Sequence, residues 1–208
     1  MEYIQLSKWE RKEHFLFFKQ QGDPHFSLNI NLDVTNFVSC LKKRGLPFYF
    51  TMIFFCTKVA NEMIEFRYKI RGDQIVLHDK LHPSFTDLEK GQTLFKIITA
   101  SMTDDLENFI TAVKEKSKQQ KEYFNFEQEG RDDLIYFSCL PWVSYTSLSP
   151  NKTLNKTDSI PRFIWGKYFE SDNKLLLPFT LGANHCLLDG WHVAQYLKKL
   201  QEQLDTFS

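Results

Sequence analysis

Residues 185 to 190 read His-Cys-Leu-Leu-Asp-Gly, and their place in the chain makes them its most informative stretch. They follow an apolar run, Lys174-Leu-Leu-Leu-Pro-Phe-Thr-Leu-Gly-Ala183, which is typical of a buried strand. They precede residues 191–204, whose apolar side chains recur at the i, i+4, i+7 spacing of an amphipathic helix. The sequence therefore predicts a strand, a short turn and a helix, with a histidine and an aspartate in the turn.

A histidine in such a turn is suited to proton transfer, because imidazole exchanges protons near neutral pH and loops on rigid elements often carry function. The spacing His-x-x-x-Asp-Gly is one that an acyltransferase would use, with His185 as general base and Asp189 as a structural carboxylate. Gly190 is expected to permit a tight backbone turn. Two other interpretations stay open: Asp189 as a simple helix cap or polar pair, and His185, Asp189 and His192 as metal ligands. No second cluster with ligand spacing supports a metal, and none is predicted.

Length and composition favour a globular protein. The 208 residues predict a single domain, 1–208, because no Pro/Gly/Ser-rich linker divides them. An apolar fraction of 42% with 20 Phe is ample for a core. The 26 basic and 26 acidic residues cancel, so no nucleic-acid partner is predicted. Four scattered cysteines, Cys40, Cys56, Cys139 and Cys186, are expected to be reduced thiols.

No targeting or membrane segment is evident in the sequence. The first residues lack the basic and apolar regions of a signal peptide. No apolar run reaches the roughly 20 residues that a membrane span requires. We therefore predict a cytoplasmic protein with no membrane partner.

Periodicity predicts an α/β protein. Ser7 is expected to cap a helix over residues 8–20, with Glu10 completing a capping box. Further helices are predicted over 35–44, capped by Asp33 or Thr35, over 49–64 and over 104–122. Strands are predicted over 25–32, 75–79, 83–87, 95–99, 134–140 and 179–183, and a polar loop over 149–161.

Several other short motifs along the chain can be considered together with the turn. They are Trp9-Glu-Arg11-Lys-Glu-His14-Phe15, Phe48-Tyr49, Glu65-Phe-Arg67, His82-Pro83-Ser-Phe85-Thr86, Ser138-Cys-Leu-Pro141-Trp142-Val143 and Gly166-Lys167-Tyr168. With residues 185–192, the set resembles the chloramphenicol acetyltransferase family in order and nearly in spacing, over almost the whole chain. The resemblance implies a mixed-sheet two-layer α/β sandwich of the CoA-dependent acyltransferase type. It also implies a homotrimer with active sites between subunits.

The activity implied by this resemblance is acetyl transfer from acetyl-CoA to a hydroxyl of a small, aromatic acceptor. Chloramphenicol is the leading candidate, which would make the reaction an antibiotic inactivation. By the resemblance, His185 is the general base and its own backbone carbonyl fixes its tautomer. Asp189 pairs with Arg11 to hold the loop, and the Ser138 hydroxyl stabilises the oxyanion.

The resemblance further assigns two sets of binding residues. Tyr49, Trp142, Lys167 and Tyr168 match positions that line the coenzyme channel in similar enzymes. Phe18, Phe26 and Phe95 match the acceptor pocket and keep the apolar character that a nitrophenyl ring needs.

Three positions depart from the family pattern. Asn184 replaces the histidine that usually precedes the base, Ile164 replaces a threonine near a bound water, and Pro150 replaces a pocket leucine. These changes bear on the acceptor more than on acetyl transfer. Two alternatives stay open: a degenerate relative that binds a small molecule or CoA without turnover, and an acyltransferase core like that of dihydrolipoyl acyltransferases.

Overall fold

Ten strands and seven α-helices make up the computed structural model, which describes residues 1–151 and 155–208, without the side chain of Glu129. The strands are β1 (Glu2–Ile4), β2 (His25–Asp33), β3 (Tyr68–Arg71), β4 (Gln74–Leu77), β5 (His82–Asp87), β6 (Lys96–Thr99), β7 (Leu134–Leu140), β8 (Arg162–Gly166), β9 (Phe169–Ser171) and β10 (Lys174–Asn184). The helices are α1 (Lys12–Lys19), α2 (Thr35–Arg44), α3 (Phe48–Asn61), α4 (Ile64–Arg67), α5 (Leu106–Gln119), α6 (Phe126–Glu129) and α7 (Gly190–Thr206), and a 3-10 helix spans Leu6–Lys8.

Seven of the strands form one mixed sheet in the order β2-β10-β8-β7-β5-β6, with β9 paired to the start of β10. β7 runs parallel to both β5 and β8, and the other pairs are antiparallel. β1, β4 and β3 form a separate antiparallel sheet. This mixed α/β architecture confirms the predicted fold class.

The strand that enters the turn, β10, divides its side chains between the two faces of the large sheet. Phe179, Leu181 and Ala183 are buried in the core that the helices share. Thr180 and Asn184 alternate with them and therefore lie on the opposite face. The predicted buried strand is confirmed, and it is longer than residues 179–183.

The face of the sheet away from the helices is polar across several strands, and we call it the polar face. One row across it contains Ser27, Gly182, Arg162, Tyr136, Ser84 and Thr99. The next row contains Asn29, Thr180, Ile164 and Ser138. Alternation along the strands thus puts Ser138 on the polar face, while its neighbour Phe137 enters the core.

The N-terminal helix begins later than its sequence predicts. The segment over residues 8–20 is interrupted because Trp9 is extended (φ −81°, ψ 125°), and α1 begins only at Lys12. Neither Ser7 nor Glu10 forms the expected capping box, since no side chain caps either helix. The Trp9 ring packs edge-on against Phe15 and Tyr68. Tertiary packing of Trp9 accompanies the break that local capping signals do not predict.

The other predicted elements agree with the structure within a few residues, but six short ones are missing from the prediction: β1, β3, β8, β9, α4 and α6. Elements of three to five residues carry too little periodicity to be recognised. β8 did carry a signal, because Phe163 and Trp165 alternate with polar-face residues. Within the predicted loop, residues 149–151 and 155–161 contain no helix or strand. Residues 152–154 lie outside the described part of the chain.

The lysine in β3, Lys69, is fully buried. Its ammonium donates to the carbonyl oxygens of Phe66 at 2.6 Å and Tyr68 at 3.3 Å. Burial lowers the pKa of Lys69 to about 7, against the opposing effect of the Asp132 and Asp133 charges. Between that pKa and the ordinary 10.5, the unfolded chain binds more protons than the folded one. Folding stability should therefore rise with pH across this window.

We expect the free energy of unfolding to increase by about 2 kcal/mol between pH 7 and pH 9 because of Lys69. Lys69→Met should abolish this increase, which urea denaturation at the two pH values measures. Lys80→Met is the matched control, because the Lys80 ammonium pairs with an exposed carboxylate, that of Asp104. A pH dependence that survives in Lys69→Met would show that another group causes it.

Candidate active site

The turn between β10 and α7 contains both His185 and Asp189, and Asp189 is the N-cap of α7. Its carboxylate accepts a hydrogen bond from the Trp191 N–H at 3.1 Å. In return, the Nδ1 atom of His192 accepts one from the Asp189 N–H at 3.2 Å, which completes a capping box. The interpretation of Asp189 as a helix cap is thus correct, and an anionic cap is favourable at a helix N-terminus.

Arg11 fastens this turn to the N-terminal segment through three hydrogen bonds. It donates to the Asp189 carboxylate at 2.8 Å and to the carbonyl oxygens of Cys186 and His185, each at 3.1 Å. Burial by itself would raise the pKa of Asp189, but the hydrogen bond from Arg11 and the electrostatic effects of His192 and Arg11 lower it to about 2. The carboxylate therefore stays ionised, and it pairs with Arg11 across the turn.

The His185 imidazole lies flat against an aromatic side chain. Its ring stacks on Phe18 with a centroid distance of 3.8 Å and an interplanar angle of 10°, and Phe26 lies 4.9 Å away. Its Nδ1 atom is buried and has no hydrogen-bond partner among the described residues. The expected bond to its own carbonyl oxygen is therefore not formed in this chain, and that carbonyl accepts from Arg11 instead.

The backbone of Gly190 does not have the positive φ angle that would favour a glycine in a tight turn. It is the first residue of α7, and the described glycines with positive φ are Gly45, Gly72 and Gly91. A Cβ atom built on Gly190 would meet no atom within 4 Å. The described chain therefore gives no sign that the tight turn expected at Gly190 needs a glycine.

Ser138 lies in a pocket on the polar face. Polar side chains from neighbouring strands and loops line it together with apolar ones: Ser84, Thr86, Tyr136, Asn151, Arg162, Phe85, Ile97, Phe137 and Ile164. Phe95 directly precedes β6, two residues before Ile97, and is partly exposed. By alternation Phe95 belongs to the same side of the sheet as Ser138.

His185 and Ser138 do not meet within one chain. Ser138 pairs with Ile164, which pairs with Thr180, two strands away and about 10 Å across the sheet. Five more residues along β10, about 17 Å, separate Thr180 from His185. The His185 ring also packs with Phe18 and Phe26 on the helix side of the sheet, whereas Ser138 is on the polar face. The predicted acceptor residues divide in the same way: Phe18 and Phe26 accompany His185, and Phe95 accompanies Ser138.

The four predicted coenzyme residues line one pocket, namely Tyr49, Trp142, Lys167 and Tyr168. The Tyr49 hydroxyl donates to the Thr86 carbonyl oxygen at 2.6 Å, and burial raises the pKa of Tyr49 so that the phenol stays protonated. Trp142 is exposed at the rim. An aromatic groove with a lysine suits a ring and phosphates.

Known proteins share both the sequence and this fold. The sequence pattern that defines the chloramphenicol acetyltransferase family matches residues 1–201. The chain belongs to the chloramphenicol acetyltransferase family. Chloramphenicol acetyltransferases from Proteus mirabilis and Haemophilus influenzae are each 29% identical over 97% of this chain, covering 94% and 96% of those proteins. Enzymes of this family are acyl-CoA-dependent transferases.

Solved structures agree with the fold. One chloramphenicol acetyltransferase superposes with a TM-score of 0.91 at 24% identity, covering 98% of this chain and 99% of the other. A dihydrolipoamide acetyltransferase from Azotobacter vinelandii gives a TM-score of 0.67 at 17% identity, covering 93% and 86%. The dihydrolipoyl acyltransferase alternative thus shares the fold, but the family match places this chain with the chloramphenicol acetyltransferases.

The three departures from the chloramphenicol acetyltransferase pattern lie on or over the polar face. Ile164 lines the Ser138 pocket. Pro150 is buried over Gly182, where an added Cβ would lie 3.0 Å from the proline Cγ, so a larger residue at position 182 would require the proline to shift. Asn184 bonds to the segment that follows residue 154, a role that sequence reasoning missed.

The metal interpretation gains no support from the geometry of the described ranges, 1–151 and 155–208. No group of three or more His, Cys, Asp or Glu side chains there could hold a metal ion. Asp189 instead pairs with Arg11 and also contacts His192. In the same ranges, no helix combines the length and apolar character that crossing a membrane requires.

Proposed function

We propose that the protein is an acetyl-CoA-dependent O-acetyltransferase with His185 as general base and Ser138 as oxyanion stabiliser. The observation that carries this proposal is the turn after β10, where Arg11 binds three groups around a histidine packed between two phenylalanines. A base needs a fixed ring position, because proton transfer requires close approach to the reacting hydroxyl.

The reaction follows from these groups. The acceptor hydroxyl oxygen attacks the thioester carbonyl of acetyl-CoA while the His185 imidazole takes its proton. The tetrahedral intermediate carries an oxyanion, which the Ser138 hydroxyl stabilises by donating a hydrogen bond. Collapse of the intermediate breaks the carbon–sulfur bond, and the imidazolium returns the proton to the departing CoA thiolate. Acetyl ester and free thiol are the products.

The separation of His185 from Ser138 supports a site shared between subunits. Since the two groups lie on opposite sides of the sheet, one chain would supply His185 and a neighbouring chain would supply Ser138. A homotrimer, as the resemblance implies, closes such head-to-tail contacts into a ring with three equivalent sites.

Subunit complementation tests the shared site. His185→Ala and Ser138→Ala chains, tagged differently and co-expressed, give mixed trimers that two affinity steps purify. Each mixed trimer contains one interface with both groups intact, so we expect about one third of wild-type activity. Trimers of either variant alone should be nearly inactive. An inactive mixture, or a fully active wild-type monomer in sedimentation, would contradict the shared site.

The acceptor that we propose first is chloramphenicol, because Phe18, Phe26 and Phe95 can contact a nitrophenyl ring. Against it stands the loss of a water-binding hydroxyl at Ile164. Release of CoA thiol from acetyl-CoA, measured with chloramphenicol and with other hydroxylated aromatic compounds, identifies the acceptor class. The degenerate, non-catalytic alternative predicts coenzyme binding with no thiol release from any acceptor.

We also propose that Trp142 and Lys167 bind the coenzyme. Loss of one stacking or phosphate contact worth about 1.4 kcal/mol should raise the KM for acetyl-CoA about tenfold in Trp142→Ala and Lys167→Met. The KM for the acceptor should not change. Lys198→Met, at an exposed position of α7, is the matched control for lost charge. An unchanged KM for acetyl-CoA in both variants would place the coenzyme elsewhere.

A further inference from the structure

We propose that Asn184 is a positioning residue for His185, which it ties to the segment 155–160. The inference rests on the proposed role of His185 as base. Asn184 is 3% exposed, and it stands where the resembled family has a histidine. It therefore marks a support for the catalytic loop that is built differently in this chain.

Both ends of the Asn184 carboxamide are bonded. Its Nδ2 donates to the carbonyl oxygens of Lys156 and Asp158, each at 2.9 Å. Its Oδ1 accepts from the N–H of Cys186 at 2.9 Å. Because the partners are two carbonyl oxygens and one N–H group, they determine which end of the Asn184 amide is the nitrogen and which is the oxygen. The side chain thus joins the residue after His185 to a segment more than twenty residues earlier.

The backbone of Asn184 shapes the same turn. Its carbonyl oxygen accepts from the N–H groups of Leu187 and Leu188, each at 3.1 Å, and the N–H of His185 donates to Pro24 at 2.7 Å. Hydrogen bonds of Asn184 and Cys186 thereby fix the backbone on both sides of His185, and Phe18 stacks on its ring. Movement of the Asn184 side chain would shift the imidazole relative to the acceptor.

The segment 155–160 reaches the Ser138 pocket through Arg162. The Arg162 guanidinium donates to the Asp158 carboxylate at 2.7 Å and to the Ile160 carbonyl oxygen at 3.1 Å, and Arg162 lines that pocket. His25 also bonds to the Asp158 carbonyl oxygen, at 2.8 Å. Asn184 therefore connects the loop of His185 to a wall of the Ser138 pocket of the same chain, which in the shared-site arrangement serves a neighbouring site.

The test uses Asn184→Ala, which removes all three bonds, and Asn184→Asp, which keeps the acceptor for Cys186 but sets a carboxylate against two carbonyls. Misplacement of a catalytic group by 1 Å can cost about 10²-fold. We expect kcat with chloramphenicol as acceptor to fall by about that factor in both variants. The KM for acetyl-CoA should stay at the wild-type value, because the coenzyme pocket has no contact with Asn184.

A second readout needs no acceptor. Stacking on Phe18 shifts the NMR signals of the His185 ring protons, and both variants should bring these signals closer to ordinary histidine values. The control is His25→Ala, which removes one hydrogen bond to the Asp158 carbonyl oxygen but keeps the bond between Asn184 and Cys186. In this variant, kcat and the signals of the His185 ring protons should change less. Equal losses in His25→Ala would assign the effect to the segment alone and overturn the proposal.

The two proposals fail differently. If the wild-type protein transfers no acetyl group but the ring signals move as expected, the positioning role stands and the proposed reaction falls. If chloramphenicol is acetylated and neither kcat nor the ring signals change in the Asn184 variants, the positioning role is wrong.

Discussion

His185→Ala should lower kcat by about 10²–10⁴-fold, the contribution of a general base. The effect should be this large because, in the described chain, Arg11 and Asp189 are committed to holding the loop. Ser138 alone cannot act as a base. Release of CoA thiol from acetyl-CoA in the presence of the best acceptor measures the loss.

Loss of packing must be separated from loss of the base. His185→Gln keeps a polar side chain of similar length against Phe18 but cannot accept and return a proton at neutral pH. We expect His185→Gln to be as inactive as His185→Ala, with a melting temperature closer to the wild type. A folded variant that keeps most of its kcat would show that His185 is not the base.

The second large effect concerns stability. Breaking a buried ion pair by removing one partner costs about 3–5 kcal/mol, and the pair of Arg11 and Asp189 is only partly buried. Asp189→Asn should lie near the lower end of this range, because Arg11 keeps its bonds to two carbonyl oxygens. Arg11→Met should cost more, since it leaves three acceptors without their donor.

The double variant decides between an ion pair and two independent residues. Asp189→Asn combined with Arg11→Met should destabilise by less than the sum of the single losses. Removing the exposed pair of Lys80 and Asp104 is the control and should cost little. Strictly additive losses at Arg11 and Asp189 in thermal unfolding would contradict the pairing.

The same pair should give a pH dependence at low pH. The lowered pKa of Asp189, about 2 against an ordinary 3.8, contributes stability above pH 4 that is lost as the pH falls toward 2.

A direct proton relay from His185 to Asp189 makes a different prediction: Asp189→Asn would lose activity while its melting temperature stayed near the wild type. The unpartnered Nδ1 atom of His185 argues against such a relay.

Local sequence alone predicted the elements with long, regular patterns. The apolar run of β10, the amphipathic spacing of α7 and the residues between them specify a strand, a turn and a helix. Asp189 is adjacent in sequence to the helix that it caps, so its capping role was readable as well. In contrast, Trp9 breaks a helix that local signals favour, because its ring packs against a strand sixty residues away.

Contacts between side chains from distant segments could be predicted only from the set of short family motifs. Nothing in the spacing of Arg11 and Asp189 brings them together, whereas the resemblance implied their contact and the structure shows it. The bonds of Asn184 to Lys156 and Asp158 carried no sequence signal, since one amide side chain can satisfy many different partners.

The fold class, the family and the turn that contains the proposed base could be predicted from the amino-acid sequence, because they depend on local periodicity and on short ordered motifs. The placement of His185 and Ser138 on opposite sides of one sheet became visible only in the folded chain. The reason is physical: strand alternation fixes which face a residue occupies, and strand order and register fix how far apart two residues lie. Neither can be read until the strands are paired.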